Sequence, residues 1–312
     1  MTTVYDDTAF ADAIEPFRRE LTAHCYRMLG SVADAEDVVQ ETYLRAWRAR
    51  DRYDAERASL RTWLYRIATN ACLTARGSGT RRVLPSGLVA ETDPRSPFQL
   101  GEVPWLQPMP DARVPRGETS GLRLAFVAAL QHLSARQRAV LILRDVLDFS
   151  AAETAEIIDT TVTSVNSALL RARASVAKAD EERLREPEES ERRAWIERYT
   201  KAFVAADVDA IKRLLAADVV MEMPPMTNWF TGPDNYGVFM DWVFEANGGD
   251  WRTVPIEANG QLGFAAYVRR DGRYRRHTLQ VLALSEQGVT RNSVFSEDEV
   301  LDAFGLPPVL DD

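Results

Sequence analysis

Two capping boxes set what the middle of this chain can fold into. Ser134-Ala-Arg-Gln137 and Ser150-Ala-Ala-Glu153 each place a serine three residues ahead of a Gln or Glu. At that spacing the hydroxyl accepts the third amide of a helix, and the longer side chain returns to the serine's own N–H. Helices are therefore expected from Ser134 through Asp145 and over 151 to 158, behind an amphipathic helix over 121 to 132. The polar turn Asp159-Thr-Thr161 then leads to a last helix from Val162 to about Lys178. Short helices joined by such a turn read as a helix-turn-helix. On the last helix Val162, Val165, Leu169, Ala172 and Val176 are expected inside. Thr163, Ser164, Ser167 and Arg171 face outward, and Asn166 and Arg173 flank the buried stripe. These six are the candidates for DNA contact, the earlier ones to base edges and the arginines to phosphate. Arg136, Arg138 and Arg144 are expected to add positive charge nearby.

The whole chain is acidic, with a net charge of −9. That excludes a protein that coats nucleic acid unaided, because phosphate neutralisation needs Lys and Arg. Charge segregated onto one helix remains compatible with DNA reading. No apolar run approaches a membrane span, and the N-terminus lacks the basic start and apolar core of a signal peptide. Cys25 and Cys72 fit no metal-ligand pattern and read as reduced, buried thiols of a cytoplasmic protein. His24, His132 and His277 are too scattered for a metal site. Neither cofactor nor metal is expected.

Upstream, Leu21, Cys25, Met28 and Leu29 line one side of a helix that Gly30 ends. A second amphipathic helix runs Asp34-Ala-Glu-Asp-Val-Val-Gln-Glu-Thr-Tyr-Leu-Arg-Ala-Trp47. Val38, Val39, Tyr43, Ala46 and Trp47 form its apolar stripe. Asp34 is a candidate N-cap, with Glu36 and Asp37 favoured in the first turn by the helix dipole. Asp37, Gln40, Glu41 and Arg45 make the other face. After the break over 50 to 57, Ser59 can cap a helix from Leu60 to Arg76. Its apolar face is Leu64, Ile67, Ala68, Ala71 and Ala75; Thr62, Arg66, Thr69, Asn70 and Arg76 lie opposite.

The Asp34 string resembles the core-polymerase-binding helix of bacterial RNA polymerase sigma factors of the extracytoplasmic-function (ECF) group. The string Arg61-Thr-Trp-Leu-Tyr-Arg-Ile-Ala-Thr-Asn-Ala-Cys-Leu73 resembles the family's minus-ten-reading helix. Leu-Ser-Ala-Arg-Gln-Arg-Ala-Val-Leu and Ser-Val-Asn-Ser-Ala-Leu-Leu-Arg-Ala-Arg resemble its minus-thirty-five domain. The resemblance implies polymerase contact through Asp37, Gln40, Glu41 and Arg45. It implies minus-ten contact through Tyr53, Arg61, Arg66, Asn70 and Arg76, with Tyr53 lining the loop that captures a flipped base. It gives minus-thirty-five contact to Thr163, Ser164, Asn166, Ser167, Arg171 and Arg173. Asn166, Ala168 and Leu170 replace residues that are basic in many relatives, which leaves the base preference open.

Between these domains the stretch over 77 to 120 loses periodicity and gains Gly, Pro and Ser, so it reads as a long connection. Extended, it spans up to roughly 140 Å. Within it, Trp105-Leu-Gln-Pro108 resembles a motif of ECF sigma factors with an extra C-terminal domain. Trp105 has two possible seats, polymerase or that domain.

Past a charge-rich run over 179 to 191, helices over 190 to 205 and 207 to 215 precede strands and one more helix. Strands are expected over 218 to 223, 251 to 257, 261 to 270, 273 to 284 and 289 to 295, with the helix over 235 to 245. Asp271-Gly272 is a hairpin signal. Helices before a curved antiparallel sheet imply an α+β cone. Met221-Glu-Met-Pro-Pro-Met226 with Trp229-Phe-Thr-Gly232 resembles the SnoaL-like fold, related to nuclear transport factor two. Met223, Met226, Trp229, Phe230, Trp242 and Tyr267 either line a pocket there or form its core, the plainer reading. Asp250, Glu257 and His277 show no recognisable catalytic pairing, so no catalytic residue is assigned.

The expected protein is multidomain: two all-α domains, the second with a helix-turn-helix, followed by an α+β SnoaL-like cone. The segments are 8–76, a linker over 77–120, 121–180 and 190–312. The expected partners are bacterial core RNA polymerase and promoter DNA, without a membrane; an anti-sigma protein or small ligand stays open. Two other readings compete. One is a ligand-sensing helix-turn-helix regulator that works without polymerase; the other gives the C-terminal domain isomerase or cyclase activity.

Overall fold

The computed structural model describes residues 7–75, 81–115, 121–184 and 186–310. It falls into two compact units, Met1–Arg82 with Ala112–Asp180, and Val83–Asp111 with Glu181–Asp312. Both expected α domains thus share one unit. Most of the expected linker, residues 83–111, belongs to the other.

The helical unit begins with α1 (Asp7–Ile14), α2 (Arg18–Leu29), α3 (Val32–Ala49) and α4 (Leu60–Ala75). Gly30 ends α2 with φ 75°, a conformation in which a Cβ would be strained. The cap of α3 is Ser31, whose hydroxyl accepts the Asp34 amide at 3.2 Å, so Asp34 lies in the first turn instead of capping it. There follow α5 (Leu124–Gln131), α6 (Ala135–Leu141), a π-helical turn over Ile142–Val146, α7 (Ala151–Ile157) and α8 (Val162–Leu184). Both capping boxes are formed in full. Val162, expected inside, is 43% exposed at the first position of α8.

Thr62 and Thr69, expected on the polar face of α4, are buried. The Thr62 hydroxyl pairs with the Ser59 hydroxyl at 2.9 Å, and the Thr69 hydroxyl pairs with His24 Nε2 at 2.9 Å. A threonine can turn inward wherever a partner receives its hydroxyl. Desolvation, followed by the charges of Arg27 and Arg61, holds His24 down at about 3. An unfolded imidazole titrates near 6.5, so below about pH 6.5 the unfolded chain takes up a proton that the fold refuses. The stabilisation is therefore complete above that pH and falls by up to about 1.4 kcal/mol per unit of acidification. Urea unfolding of the helical unit at about pH 7 and about pH 5.5 should show this loss, and His24→Gln should shrink it. An undiminished loss in the variant would assign it to other groups.

In the second unit α9 (Glu189–Val204) and α10 (Val208–Lys212) precede β1 (Leu215–Glu222), β2 (Trp229–Thr231) and α11 (Pro233–Asn247). Then come β3 (Trp251–Ala258), β4 (Gln261–Arg270), β5 (Arg273–Ser285), β6 (Gly288–Phe295), α12 (Asp298–Ala303) and β7 (Val309–Leu310). The sheet order is β2-β1-β6-β5-β4-β3, with β7 on β5. It is mixed, not wholly antiparallel, because β1 runs parallel to β6. Asp271 and Gly272 turn with φ 52° and 77°, and Asn259 and Gly260 form a second turn of the same kind at 58° and 68°. Phe203, Phe230, Phe239, Phe264, Trp251 and Leu282 belong to the core of this unit.

Candidate polymerase and DNA interfaces

On α3 the apolar stripe is inside, with Val39 at 2% and Ala46 at 0% exposed, which turns the opposite face out. Asp37 and Gln40 are exposed, and Glu41 pairs with Arg45 at 2.7 Å. Two neighbouring acids are occupied within the unit: Asp34 by Arg82 at 2.7 Å and Glu36 by Arg113. Among the acids stands Leu44, 52% exposed, four residues after Gln40. The sequence reading missed it; a leucine on the polar side of an amphipathic wheel was the available signal.

The candidate minus-ten residues are arranged less simply. Tyr53 is only 4% exposed; its hydroxyl donates to the Ala58 carbonyl at 3.3 Å and its ring lies 5.2 Å from Trp63. Enclosed in this way, Tyr53 pins the loop instead of presenting a ring to a base. Arg61 donates to Glu20 at 2.9 Å and lies over the rings of Tyr65 (4.9 Å) and Phe149 (4.7 Å). Arg66 is exposed and stands 3.9 Å from Glu156 of α7. The Asn70 amide donates to the carbonyls of Arg66 at 2.9 Å and Ile157 at 3.3 Å. Arg76 lies outside the described residues.

Around α8 the structure separates exposed side chains from buried ones. Thr163, Ser164, Asn166, Ser167, Arg171 and Arg173 are all exposed. Thr161 caps the turn, accepting the Ser164 amide at 3.2 Å. Arg173 is paired with Asp145 through two bonds of 2.7 Å. Leu170 is 74% exposed at the outward side, a group able to meet a thymine methyl. Arg138, expected to help attract DNA, is wholly buried. It donates to the carbonyls of Leu130 (2.7 Å), Met28 and Leu133 (3.4 Å) and to the Gln131 side chain (2.7 Å). The ends of α2 and α5 leave carbonyls short of helical donors, and this guanidinium serves them, adding at Leu130 to the Leu133 amide already accepted there at 3.1 Å.

In the second unit Trp105 is 5% exposed, and Leu106 and Met109 are wholly buried. Trp105 bridges Val83 in parallel, and Gly101 lies so close beneath it that a Cβ would come within 2.4 Å of the indole. Met109 and Asn259 exchange bonds of 2.8 and 2.9 Å. Glu222, with no exposed surface, accepts from Ser86 at 2.7 Å, Arg291 at 2.8 Å and Ser293 at 3.0 Å. Residues 83–111 are thus strapped to the C-terminal sheet, and Trp105 is buried in this strap beside Val83 and Gly101. In the core the hydroxyls of Tyr199 and Tyr236 meet, and Asn292 donates to Tyr236 at 2.7 Å and to Gln280 at 2.8 Å. Desolvation raises both tyrosines, Tyr236 to about 12. His277 sits edge-on to Trp251 and is pushed down to about 4, chiefly by desolvation. Of the possible pocket residues, Met223, Phe230 and Tyr267 are buried, Met226 and Trp229 partly so. Trp242 is not inside: it is 48% exposed, with Phe98 at 5.3 Å. Among the described residues no group of three or more His, Cys, Asp or Glu is placed to hold a metal, and no helix is long and apolar enough to cross a membrane.

Residues 13–82 match sigma-70 region 2, residues 123–176 match sigma-70 region 4, and residues 196–291 match the SnoaL-like domain. Fold and faces together define a sigma factor of the sigma-70 kind with a SnoaL-like domain fused behind region 4. The ECF RNA polymerase sigma factor SigG of Mycobacterium tuberculosis is 44% identical, over 96% of this chain and 85% of its own length. SigJ of the same species is 30% identical, over 71% of this chain and 64% of that one. The crystal structure of SigJ shares the fold, with a TM-score of 0.65 at 22% identity over 95% of this chain and all of that one. This chain belongs to the ECF RNA polymerase sigma factors, which bind core RNA polymerase and promoter DNA to direct transcription.

Proposed function

We propose that the outer face of α3, formed by Asp37, Gln40, Glu41, Leu44 and Arg45, is the contact with core polymerase. The observation that carries this is an exposed leucine among charged groups on a helix whose other face is buried. Such an apolar anchor inside a polar rim is how interfaces concentrate their binding energy. In the same proposal, Arg61, Arg66 and Asn70 of α4 face the minus-ten element. Tyr53 shapes the adjoining loop from within, and Arg76 is placed there by sequence alone. Thr163, Ser164, Asn166, Ser167, Leu170 and Arg171 read the minus-thirty-five duplex, while Arg173 meets phosphate at the cost of its bond to Asp145. The SnoaL-like domain modulates these steps in cis, through the strap 83–111, and the protein works in the cytoplasm. A non-catalytic role for that domain is supported by Glu222 being committed to Ser86, Arg291 and Ser293.

Run-off transcription with bacterial core polymerase on a pool of host promoters tests the reading. The full chain is expected to start at discrete sites. Leu44→Asp, a change on an exposed face, is expected to weaken core binding by about tenfold or more. Wild-type affinity in that variant would remove α3 from the interface. Stable binding of bare operator DNA without any polymerase complex would instead favour the ligand-sensing regulator.

A further inference from the structure

We propose that the β4–β5 hairpin of the SnoaL-like domain is a further DNA contact, in which Arg270, Arg273 and Arg275 hold phosphates of the promoter duplex in the polymerase complex. The inference adds to the readings of α4 and α8 and does not depend on them.

Five arginines fall within Arg269-Arg-Asp-Gly-Arg-Tyr-Arg-Arg276, in a chain whose net charge is −9. Successive side chains of a strand point to opposite sides, and here the two sides differ in kind. One side is neutralised. Arg269 pairs with Asp250 at 3.6 Å, and Arg276 with Asp298 at 2.8 Å and Asp302 at 2.7 Å. Tyr274 is buried on that side, its hydroxyl donating to Asp250 and its ring lying 4.2 Å from the Arg252 guanidinium. On the other side Arg270 stands opposite Arg273, and Arg275 opposite Val268. All three arginines are exposed. Arg270 donates to the Asn247 side chain, and among the described residues none of the three has a carboxylate partner.

Like charges directly opposite each other on two strands repel, so the Arg270–Arg273 pair costs stability until an anion shares it. The neutralised side anchors the hairpin, which presents the free side in a fixed register. Arg275 is two residues along β5 from Arg273, about 7 Å on a strand. A row of that length, open to solvent, fits a polyanion whose charge repeats along it better than it fits one enclosed anion. Duplex DNA carries a phosphate about every 3.4 Å along each strand, and guanidinium forks bind phosphate oxygens in pairs. Promoter DNA is the polyanion that this chain already meets. In a chain of net charge −9, a face that no acid neutralises is where such a backbone can approach.

The test uses the full chain bound to core polymerase, with a promoter duplex that run-off transcription has identified. Arg273→Gln together with Arg275→Gln removes two phosphate contacts from exposed positions. Promoter affinity is expected to fall about tenfold or more near about 0.1 M salt, and the slope of log affinity against log salt to shrink by about 2. Arg273→Lys together with Arg275→Lys keeps the charge and should keep most of both. Arg193→Gln together with Arg198→Gln makes the same change of charge at exposed positions of α9 and should leave the slope as it is. An unchanged slope in the Arg273 and Arg275 glutamine variant, or an equal shrinkage in the α9 variant, overturns the inference. So does weaker binding of core polymerase at an unchanged promoter slope, which would make this face a contact for an acidic protein surface.

Discussion

Arg138→Met is expected to destabilise the helical unit by about 3–5 kcal/mol. Burial of the guanidinium is complete, and it donates to the ends of two helices: Met28 of α2, and Leu130, Gln131 and Leu133 at and just past the end of α5. Methionine matches the side chain's length and apolar stem but offers no N–H. The Met28 and Leu133 carbonyls and the Gln131 side-chain oxygen would then lose this donor in a site that water does not reach, while Leu130 keeps the Leu133 amide at 3.1 Å; each unsatisfied acceptor costs about 1–3 kcal/mol. Urea unfolding followed through the helical signal would show the midpoint fall. An unchanged midpoint would mean that the freed oxygens find other donors. The same position looked like a DNA-attracting charge from sequence, so binding to a minus-thirty-five duplex gives a second comparison. Once the unit is folded in stabilising buffer, the variant should bind that duplex as the wild type does.

Trp105→Ala is expected to release the strap 83–111 from the C-terminal unit, at a cost of about 3–5 kcal/mol to its docking. The indole is 5% exposed and lies against Gly101. Its removal leaves a cavity that the neighbouring chain, short-looped and proline-rich, is poorly able to fill. Limited proteolysis should then cut within 83–111, where the wild type resists. Comparing run-off transcription by the two forms gives the sign of control in cis, because both forms keep the whole chain. Truncation after about residue 184 is a poorer experiment, since it would strip the strap of its partners Glu222, Asn228 and Asn259. Wild-type resistance to protease in Trp105→Ala would show that Glu222, Ser86 and the Met109–Asn259 pair hold the strap without the indole.

Local chemistry in the sequence determined the helices and most strands. The two capping boxes, the Gly30 stop and the Asp271-Gly272 turn act through neighbours a few residues away, so they could be read in place. So could the outward residues of α8 and the polar face of α3, because a buried stripe fixes its opposite by helical period alone. What no local pattern carries is a partner distant in the chain. Thr69 went inward because His24 receives it, and Arg138 because the end of α2, 110 residues upstream, needed a donor. The strap looked like a free tether since its anchors, Asn228, Asn259 and Glu222, lie more than a hundred residues downstream. The parallel pairing of β1 with β6 and the cover over Arg61, Arg66 and Asn70 are of the same kind. Residue type and period determine which groups are available; only the closed tertiary structure decides which of them are already spent on one another.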